Sequence, residues 1–206
     1  MTTLLDVVFQ VLILFFSVII HEVAHGYAAL TLGDPTARQA GRLTLNPIKH
    51  MDPWGTVVLP LFLILVRSPF LVGWARPVPV NPLRMRDPKK GMMLVGAAGP
   101  LANIALILLS ALALRSMPFS APPILFDLFK YCCAINIILA LFNLVPVPPL
   151  DGSKVVAGIL PPKMRAAYVG LERYGIFIII GLLYLGLLDQ VIIPLFRIIF
   201  YFLVQA

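Results

Sequence analysis

The chain has 206 residues, of which 60% are hydrophobic and only 12% charged, and its mean hydropathy is +0.97. This composition excludes a soluble globular domain and indicates one polytopic membrane domain whose partner is the lipid bilayer. The formal net charge of +7 does not indicate nucleic-acid binding, because the basic residues lie between apolar segments instead of forming one patch.

Residues 4–32 form the first predicted membrane helix, which ends at Gly33. It contains the sequence HEVAH, in which His21 and His25 lie one helical turn apart on the same face. That spacing suits two imidazole ligands of one zinc ion, and Glu22 is placed to act on water without being a ligand. A buried, hydrogen-bonded histidine pair is the alternative, but ionisable groups at membrane depth are costly unless they are paired or metal-bound.

The next region predicts a re-entrant, β-like hairpin on the cytoplasmic side. Residues 42–46 alternate polar and apolar side chains, which is typical of a short strand. Residues 54–72 are apolar but interrupted by proline, and basic residues on both flanks favour entry and exit at the same face. The extended segment GWARPVPVN, residues 73–81, can pair only along its proline-free edge, with residues 42–46 as the candidate partner. For His50 an ordinary role in this loop is favoured over an approach to the metal.

Further membrane helices follow at residues 91–114 and 124–145. The first begins GMMLVGAAGPLAN, whose small residues allow close helix packing and whose Asn103 is expected to bond a neighbouring helix. Residues 174–188 and 191–204 predict two short spans separated by Asp-Gln, although one long tilted helix also fits. The predicted fold class is therefore an all-α polytopic membrane protein with about five to six membrane helices.

Asp151 is the candidate third metal ligand. It follows the sequence NLVPVPPL, whose prolines prevent the preceding helix from continuing. Backbone without helical pairing is tolerated at membrane depth only where protein buries it or where it lines a water-filled cavity, so a carboxylate there can face such a cavity. With His21 and His25 it would complete a His₂Asp set with water in the fourth position. The alternative is an Asp that caps a helix beginning near Ser153.

HEVAH together with NLVPVPPLDG closely resembles the site-2 protease family of intramembrane zinc metalloproteases, in particular its compact prokaryotic branch without a PDZ or CBS domain. The GAAGPLAN and PVPVNP sequences are similar to that branch as well. The resemblance implies that His21, His25 and Asp151 bind one Zn²⁺ per chain and that Glu22 is the catalytic base. It also implies that Asn143 positions the substrate or stabilises the transition state.

The resemblance implies hydrolysis of a peptide bond in or near a transmembrane segment of a membrane-protein substrate. The chain would form a single intramembrane metalloprotease domain, with a core at residues 4–156 and C-terminal membrane helices at residues 166–204. Basic residues follow the first helix but do not precede it, which places the N-terminus outside the cell membrane and the active site toward the cytoplasmic face. A catalytically silent membrane adaptor and a divalent-metal transporter using the same ligands are the alternatives. The substrate and the oligomeric state remain open at this point.

Overall fold

The computed structural model describes residues 4–66 and 74–205. Within these ranges the chain is mostly helical and contains no strand beyond one isolated bridge. Among the described residues, five helical segments are long and apolar enough to cross a membrane: Val7–Thr31, Pro88–Ser116, Pro123–Asn143, Pro162–Tyr184 and Leu187–Val204. The predicted fold class is confirmed, and the protein is an all-α, multi-pass membrane protein.

Most of the helices are joined by short turns. The α-helices are α1 Leu4–Thr31, α2 Thr36–Gln39, α3 Leu59–Leu65, α4 Pro88–Ser116, α5 Pro123–Asn143, α6 Asp151–Ile159, α7 Pro162–Gly170, α8 Gly175–Tyr184 and α9 Leu187–Phe200. Shorter 3₁₀ turns lie at Pro47–Lys49, Pro82–Arg84 and Leu171–Tyr174, and π-type turns lie at Pro53–Val58 and Tyr201–Gln205. The polar region that follows the sequence NLVPVPPL thus folds into α6 and α7.

The end of α1 is fixed by a glycine and a buried carboxylate. Gly33 takes φ 105°, a conformation that residues with a side chain rarely adopt. Asp34, which is fully buried, then accepts hydrogen bonds from the backbone N–H groups of Thr36 at 3.0 Å and Asn81 at 2.6 Å. Although burial raises it, the pKa of Asp34 is held below its usual value by a hydrogen bond from the Thr36 hydroxyl and by these two backbone hydrogen bonds. The carboxylate therefore ties the end of α1 to the segment that precedes α4.

The central helix of the bundle is α4, which packs against α1, α5 and α6. Its small residues lie at these contacts, as the sequence predicts. A Cβ atom added to Gly96 would lie 2.7 Å from the Cβ of Lys154 on α6, and one added to Gly99 would lie 2.5 Å from the His21 ring on α1. The buried positions of α4 are Gly91, Val95, Gly96, Gly99, Pro100, Asn103, Ile107, Ser110 and Ala111.

The predicted strand pairing between residues 42–46 and 73–81 does not form in the described residues. Residues 42–46 contain bends and no strand, and the bridge joins Ala75 to Met51 in antiparallel orientation. The N–H group of Arg76 donates to His50 O at 2.9 Å. Because its prolines leave donors mainly along one edge, the extended segment uses that edge on the loop around His50 instead.

The two ends of the predicted re-entrant hairpin lie side by side. The N–H group of Trp74 donates to Gly55 O at 3.2 Å, and Thr56 Oγ1 donates to Trp74 O at 2.8 Å. The Pro53–Val58 turn and α3 lead away from this point. The hairpin was predicted over residues 54–72 with breaks at Pro60 and at residues 67–69, and the second break lies outside the described residues. The adjacency of the two ends agrees with entry and exit at one face, which stays a prediction.

The C-terminal region contains two helices, but their break lies earlier than the sequence suggested. Gly186 takes φ 66° between α8 and α9, whereas the break was predicted at Asp189 and Gln190. Asp189 instead lies in the first turn of α9, where a carboxylate interacts favourably with the helix N-terminus. Helix α9 packs against α5, which attaches the last span to the core.

Cysteine labelling tests the hairpin. In a chain in which Cys132 and Cys133 are replaced by alanine, Ile48→Cys, Leu83→Cys and Phe119→Cys place single thiols at side chains that are 76%, 88% and 106% exposed. We expect a membrane-impermeant maleimide to modify the first two from the same side, because they flank the hairpin. Modification of the third is expected from the opposite side, because α4 lies between them. Labelling of the first two from opposite sides would contradict the hairpin.

Candidate metal centre

The two histidines of α1 point their Nε2 atoms at the same place. His21 and His25 are each 6% exposed, and their Nε2 atoms lie 3.0 Å apart. The rings are nearly perpendicular, with an interplanar angle of 89° and centroids separated by 4.6 Å. The shared helical face predicted from their spacing is therefore present, and it faces the interior of the bundle.

Asp151 reaches this histidine pair from the far end of the core sequence. Its Oδ2 atom lies 3.0 Å from Nε2 of His21 and 3.0 Å from Nε2 of His25, and its Oδ1 atom accepts a hydrogen bond of 2.8 Å from Lys154 Nζ. Asp151 is the first residue of α6, so it does not act as the cap of a helix beginning at Ser153. The carboxylate is turned toward the histidines.

The local turn depends on a glycine. A Cβ atom on Gly152 would lie 2.2 Å from Leu144 O, which is too close for any side chain. The segment between α5 and α6 therefore folds back on itself immediately beside Asp151. This explains why the Asp-Gly pair is needed at this position of the chain.

Each of the three converging atoms can present a lone pair to a cation. His25 Nδ1 lies 2.6 Å from the backbone carbonyl oxygen of Val95, which can only accept, so Nδ1 carries a proton, and in the neutral ring Nε2 is then unprotonated. His21 Nδ1 is engaged in the same way by the amide oxygen of Asn103 at 2.6 Å. The 3.0 Å separations are close to the edge of roughly 3.3 Å that a tetrahedral zinc site with ~2.0 Å bonds requires. The donor set therefore fits a divalent cation, and zinc in particular.

Glu22 lies next to this cluster on α1 and is held by a different part of the chain. Its Oε2 atom accepts a hydrogen bond of 2.7 Å from the backbone N–H of Val78, in the extended segment 74–81. Val78 is itself 7% exposed and packs close to Gly26, one turn further along α1. The carboxylate is thus anchored through one oxygen, and Glu22 is not one of the three converging groups.

A buried cation lies near Glu22. The Arg42 side chain is 6% exposed, and among the described residues its Nη1 atom has no hydrogen-bond partner. Burial, together with the charge of neighbouring Arg76, lowers the pKa of the Arg42 guanidinium, while Glu22 acts in the opposite direction. The loop after α1 therefore contributes positive charge beside the Glu22 carboxylate.

Two other polar residues singled out from the sequence lie outside the cluster. Asn143 donates through Nδ2 to Leu139 O on its own helix at 2.9 Å, so its amide is not among the hydrogen-bond partners of the three converging residues. His50 is fully buried, and its Nε2 atom lies 2.7 Å from Thr44 O. The favoured loop role of His50 matches this contact.

Sequence reasoning missed how far the polar contacts of the histidines extend. Asn103 was expected to bond a neighbouring helix, and it does so through Asn136 on α5, but its contact with His21 was not foreseen. His25 contacts the backbone carbonyl of Val95, so the side chain at position 95 gave no indication of this contact. Asparagines in apolar spans were the available signal, since such residues are costly in a membrane without partners.

Comparison with known proteins agrees with this chemistry. Residues 119–185 match the model for "Peptidase family M50". The chain is 39% identical over 196 residues to the Bacillus subtilis protein named "Putative zinc metalloprotease YwhC", covering 91% of this chain and 85% of that relative. It is 27% identical over 167 residues to "Putative zinc metalloprotease Rip2" of Mycolicibacterium smegmatis, covering 81% of this chain and 63% of that relative. It is 26% identical over 188 residues to "Zinc metalloprotease MJ0392" of Methanocaldococcus jannaschii, covering 86% of this chain and 44% of that relative. No solved structure matches the chain significantly.

The fold and the site together define a class of protein. It is a helical, multi-pass membrane protein with a buried cluster of two histidines and one aspartate. The chain belongs to peptidase family M50, the site-2 protease family, and it is a zinc-dependent metalloprotease. The resemblance noted from the sequence motifs is thereby confirmed.

Gly99→Ala tests whether the space between α1 and α4 belongs to the metal. The added methyl group would lie 2.5 Å from Nε2 of both His21 and His25, so we expect a folded protein that no longer retains zinc. Zinc content of the purified protein, measured by atomic emission, checks this. Gly181→Ala is the matched control, because a Cβ atom at that helical position meets nothing within 4 Å. Full zinc content in Gly99→Ala would show that the three residues are not the ligands.

Proposed function

We propose that this chain is an intramembrane protease that hydrolyses a peptide bond in or near a transmembrane segment of a membrane-protein substrate. His21, His25 and Asp151 hold the zinc ion, and Glu22 is the general base. The observation that carries the proposal is the convergence of three buried lone-pair atoms, 3.0 Å apart, among helices long enough to span a membrane.

The division of chemical labour follows from the contacts. When bound, zinc supplies a Lewis acid that makes water a better nucleophile at neutral pH and polarises the scissile carbonyl. Glu22 removes a proton from the attacking water and delivers it to the leaving amine. The hydrogen bond from Val78 N–H fixes Oε2 of Glu22 and thereby leaves Oε1 as the proton-accepting atom. Asn143 would donate to the developing oxyanion, for which its amide must leave Leu139 O.

The depth of the site supports a substrate within the membrane. From Leu4 to His21, α1 rises about 26 Å, compared with a hydrocarbon core of ~30 Å. The metal therefore lies a short way inside one face. A transmembrane substrate helix has its amide groups paired internally, so it must unwind locally before Glu22 and the zinc can act on a peptide bond.

The charge distribution supports an orientation in the cell membrane. Basic residues are concentrated in the loop after α1 and in the segment before α4, and few charges precede α1. By the positive-inside rule the N-terminus lies outside, and the site opens toward the cytoplasm, from which water enters. The chain acts as one domain, with a core at residues 4–156 and the membrane helices of residues 166–204 packed beside it.

Glu22→Gln tests the mechanism. The amide keeps the hydrogen bond from Val78 but cannot accept the proton, so we expect cleavage of a single-span membrane protein to fall by at least about 100-fold while zinc is retained. The rate is measured with purified protein in lipid vesicles. Glu172→Gln, which changes an exposed glutamate far along the chain, is the control and should cleave normally.

The same experiment separates the alternatives. A catalytically silent adaptor would bind the substrate but would not cut it, whether residue 22 is Glu or Gln. A metal transporter would move zinc into the vesicles whichever side chain is present. Cleavage by Glu22→Gln at the rate of the parent protein would contradict the proposed base.

A further inference from the structure

A buried chain of side-chain hydrogen bonds runs from α5 through α4 to His21. Asn136 Nδ2 donates to the backbone carbonyl oxygen of Cys132 at 2.9 Å and to Ser17 Oγ at 2.9 Å. Asn103 Nδ2 donates to Asn136 Oδ1 at 2.8 Å, and Asn103 Oδ1 lies 2.6 Å from His21 Nδ1. Asn103 and Asn136 are both 0% exposed, and Ser17 is 3% exposed.

The polarity of this chain is fixed at its far end. The carbonyl oxygen of Cys132 can only accept, so Asn136 must turn its NH₂ group toward it and its Oδ1 toward Asn103. Asn103 must then offer its own NH₂ group to Asn136, which leaves its Oδ1 facing His21. An amide oxygen can only accept, so His21 carries its proton on Nδ1. In the neutral imidazole the lone pair is thereby left on Nε2, the atom that faces Asp151.

We propose that Asn103 is a positioning residue for His21 and that Asn136 fixes the orientation of Asn103. The two asparagines set the tautomer and the ring plane of His21, so that its Nε2 atom is directed at the metal before the metal binds. This inference rests on the proposed role of His21 as a zinc ligand. The principle is general, because groups that hold the second nitrogen of a metal-bound histidine contribute to metal affinity.

The second histidine is positioned by the same helix in a simpler way. His25 Nδ1 contacts the backbone carbonyl of Val95, two turns before Asn103 on α4. His21, one turn earlier on α1, has the side chain of Asn103 beside it instead of a backbone carbonyl. One face of α4 therefore orients both imidazoles.

A purely structural role, as an interhelical contact in an apolar bundle, is the competing explanation. The chain offers a matched contact for comparison: Cys133 Sγ donates to Ile107 O at 3.6 Å, which also joins α5 to α4 and is also buried. That contact does not lead to His21. If the asparagines served only to hold helices together, loss of the asparagine contacts and loss of the Cys133 contact would have the same effect. Each would lower the stability of the protein and leave its zinc affinity unchanged.

Zinc affinity and the spectrum of bound cobalt test the proposal. Full-length protein is purified, stripped of metal and titrated with zinc against a chromogenic chelator. We expect Asn103→Leu to weaken zinc binding by roughly 10- to 100-fold, Asn136→Leu to weaken it less, and Cys133→Ala to stay close to the parent protein. Co²⁺ bound to the asparagine variants should give weaker visible absorption than the parent, because a loosened His21 ring allows the coordination number to rise.

His21→Ala distinguishes the possible failures. Zinc affinity unchanged in Asn103→Leu and Asn136→Leu, but lost in His21→Ala, overturns the positioning role and leaves the proposed metal site intact. Zinc affinity unchanged in His21→Ala overturns the ligand assignment and the positioning role together. If Asn103→Leu does not fold, as judged by its thermal unfolding in detergent, Asn136→Leu decides the question, because it leaves Asn103 in place.

Discussion

The interaction on which the rest of the structure depends is the convergence of three metal-donor atoms inside an apolar bundle. Nε2 of His21, Nε2 of His25 and Oδ2 of Asp151 approach to 3.0 Å, and with both imidazoles neutral and protonated on Nδ1 no hydrogen lies between them. Electron pairs held this close in a medium of low dielectric repel one another unless a cation lies among them. The donor set of a zinc metalloprotease thus explains why polar groups from α1 and α6 can be buried together.

Helix α4 builds the site although none of the three converging residues lies on it. Gly99 admits the two imidazole rings, Gly96 admits α6 with its Asp151, and the Val95 carbonyl and the Asn103 side chain hold the two Nδ1 atoms. Val95, Gly99 and Asn103 follow one another at four-residue spacing, so they lie along one side of the helix, and Gly96 lies beside them toward α6. Within the sequence GAAGPLAN, Gly96, Gly99 and Asn103 therefore face the site, and the two glycines leave room for groups of the neighbouring helices.

The sequence predicted the parts whose information is local. HEVAH specified a shared helical face, and the prolines before Asp151 specified where α5 must stop, so the convergence of His21, His25 and Asp151 and the long spans could be predicted. The pairing of residues 42–46 could not, because a period-2 pattern does not say which donors a distant proline-rich segment retains. The break at Gly186 was missed because two polar residues looked like a turn, whereas a left-handed glycine was the stronger signal. The contact of Asn143 with Leu139 depends on a rotamer, which no sequence pattern encodes.

The segment 74–81 shows how the loops serve the same centre. The N–H groups of Trp74, Arg76 and Val78 alternate along one edge and donate to Gly55 O, His50 O and Glu22 Oε2. The prolines at the intervening positions have no N–H group, so the opposite edge of this stretch offers mainly carbonyl oxygens. An edge depleted in N–H donors is a poor template for an added strand. The other edge, whose N–H groups already donate hydrogen bonds, is a rigid support for Glu22. The prolines thus keep the segment extended and direct the Val78 N–H group to the Glu22 carboxylate, which lies beside the three converging residues.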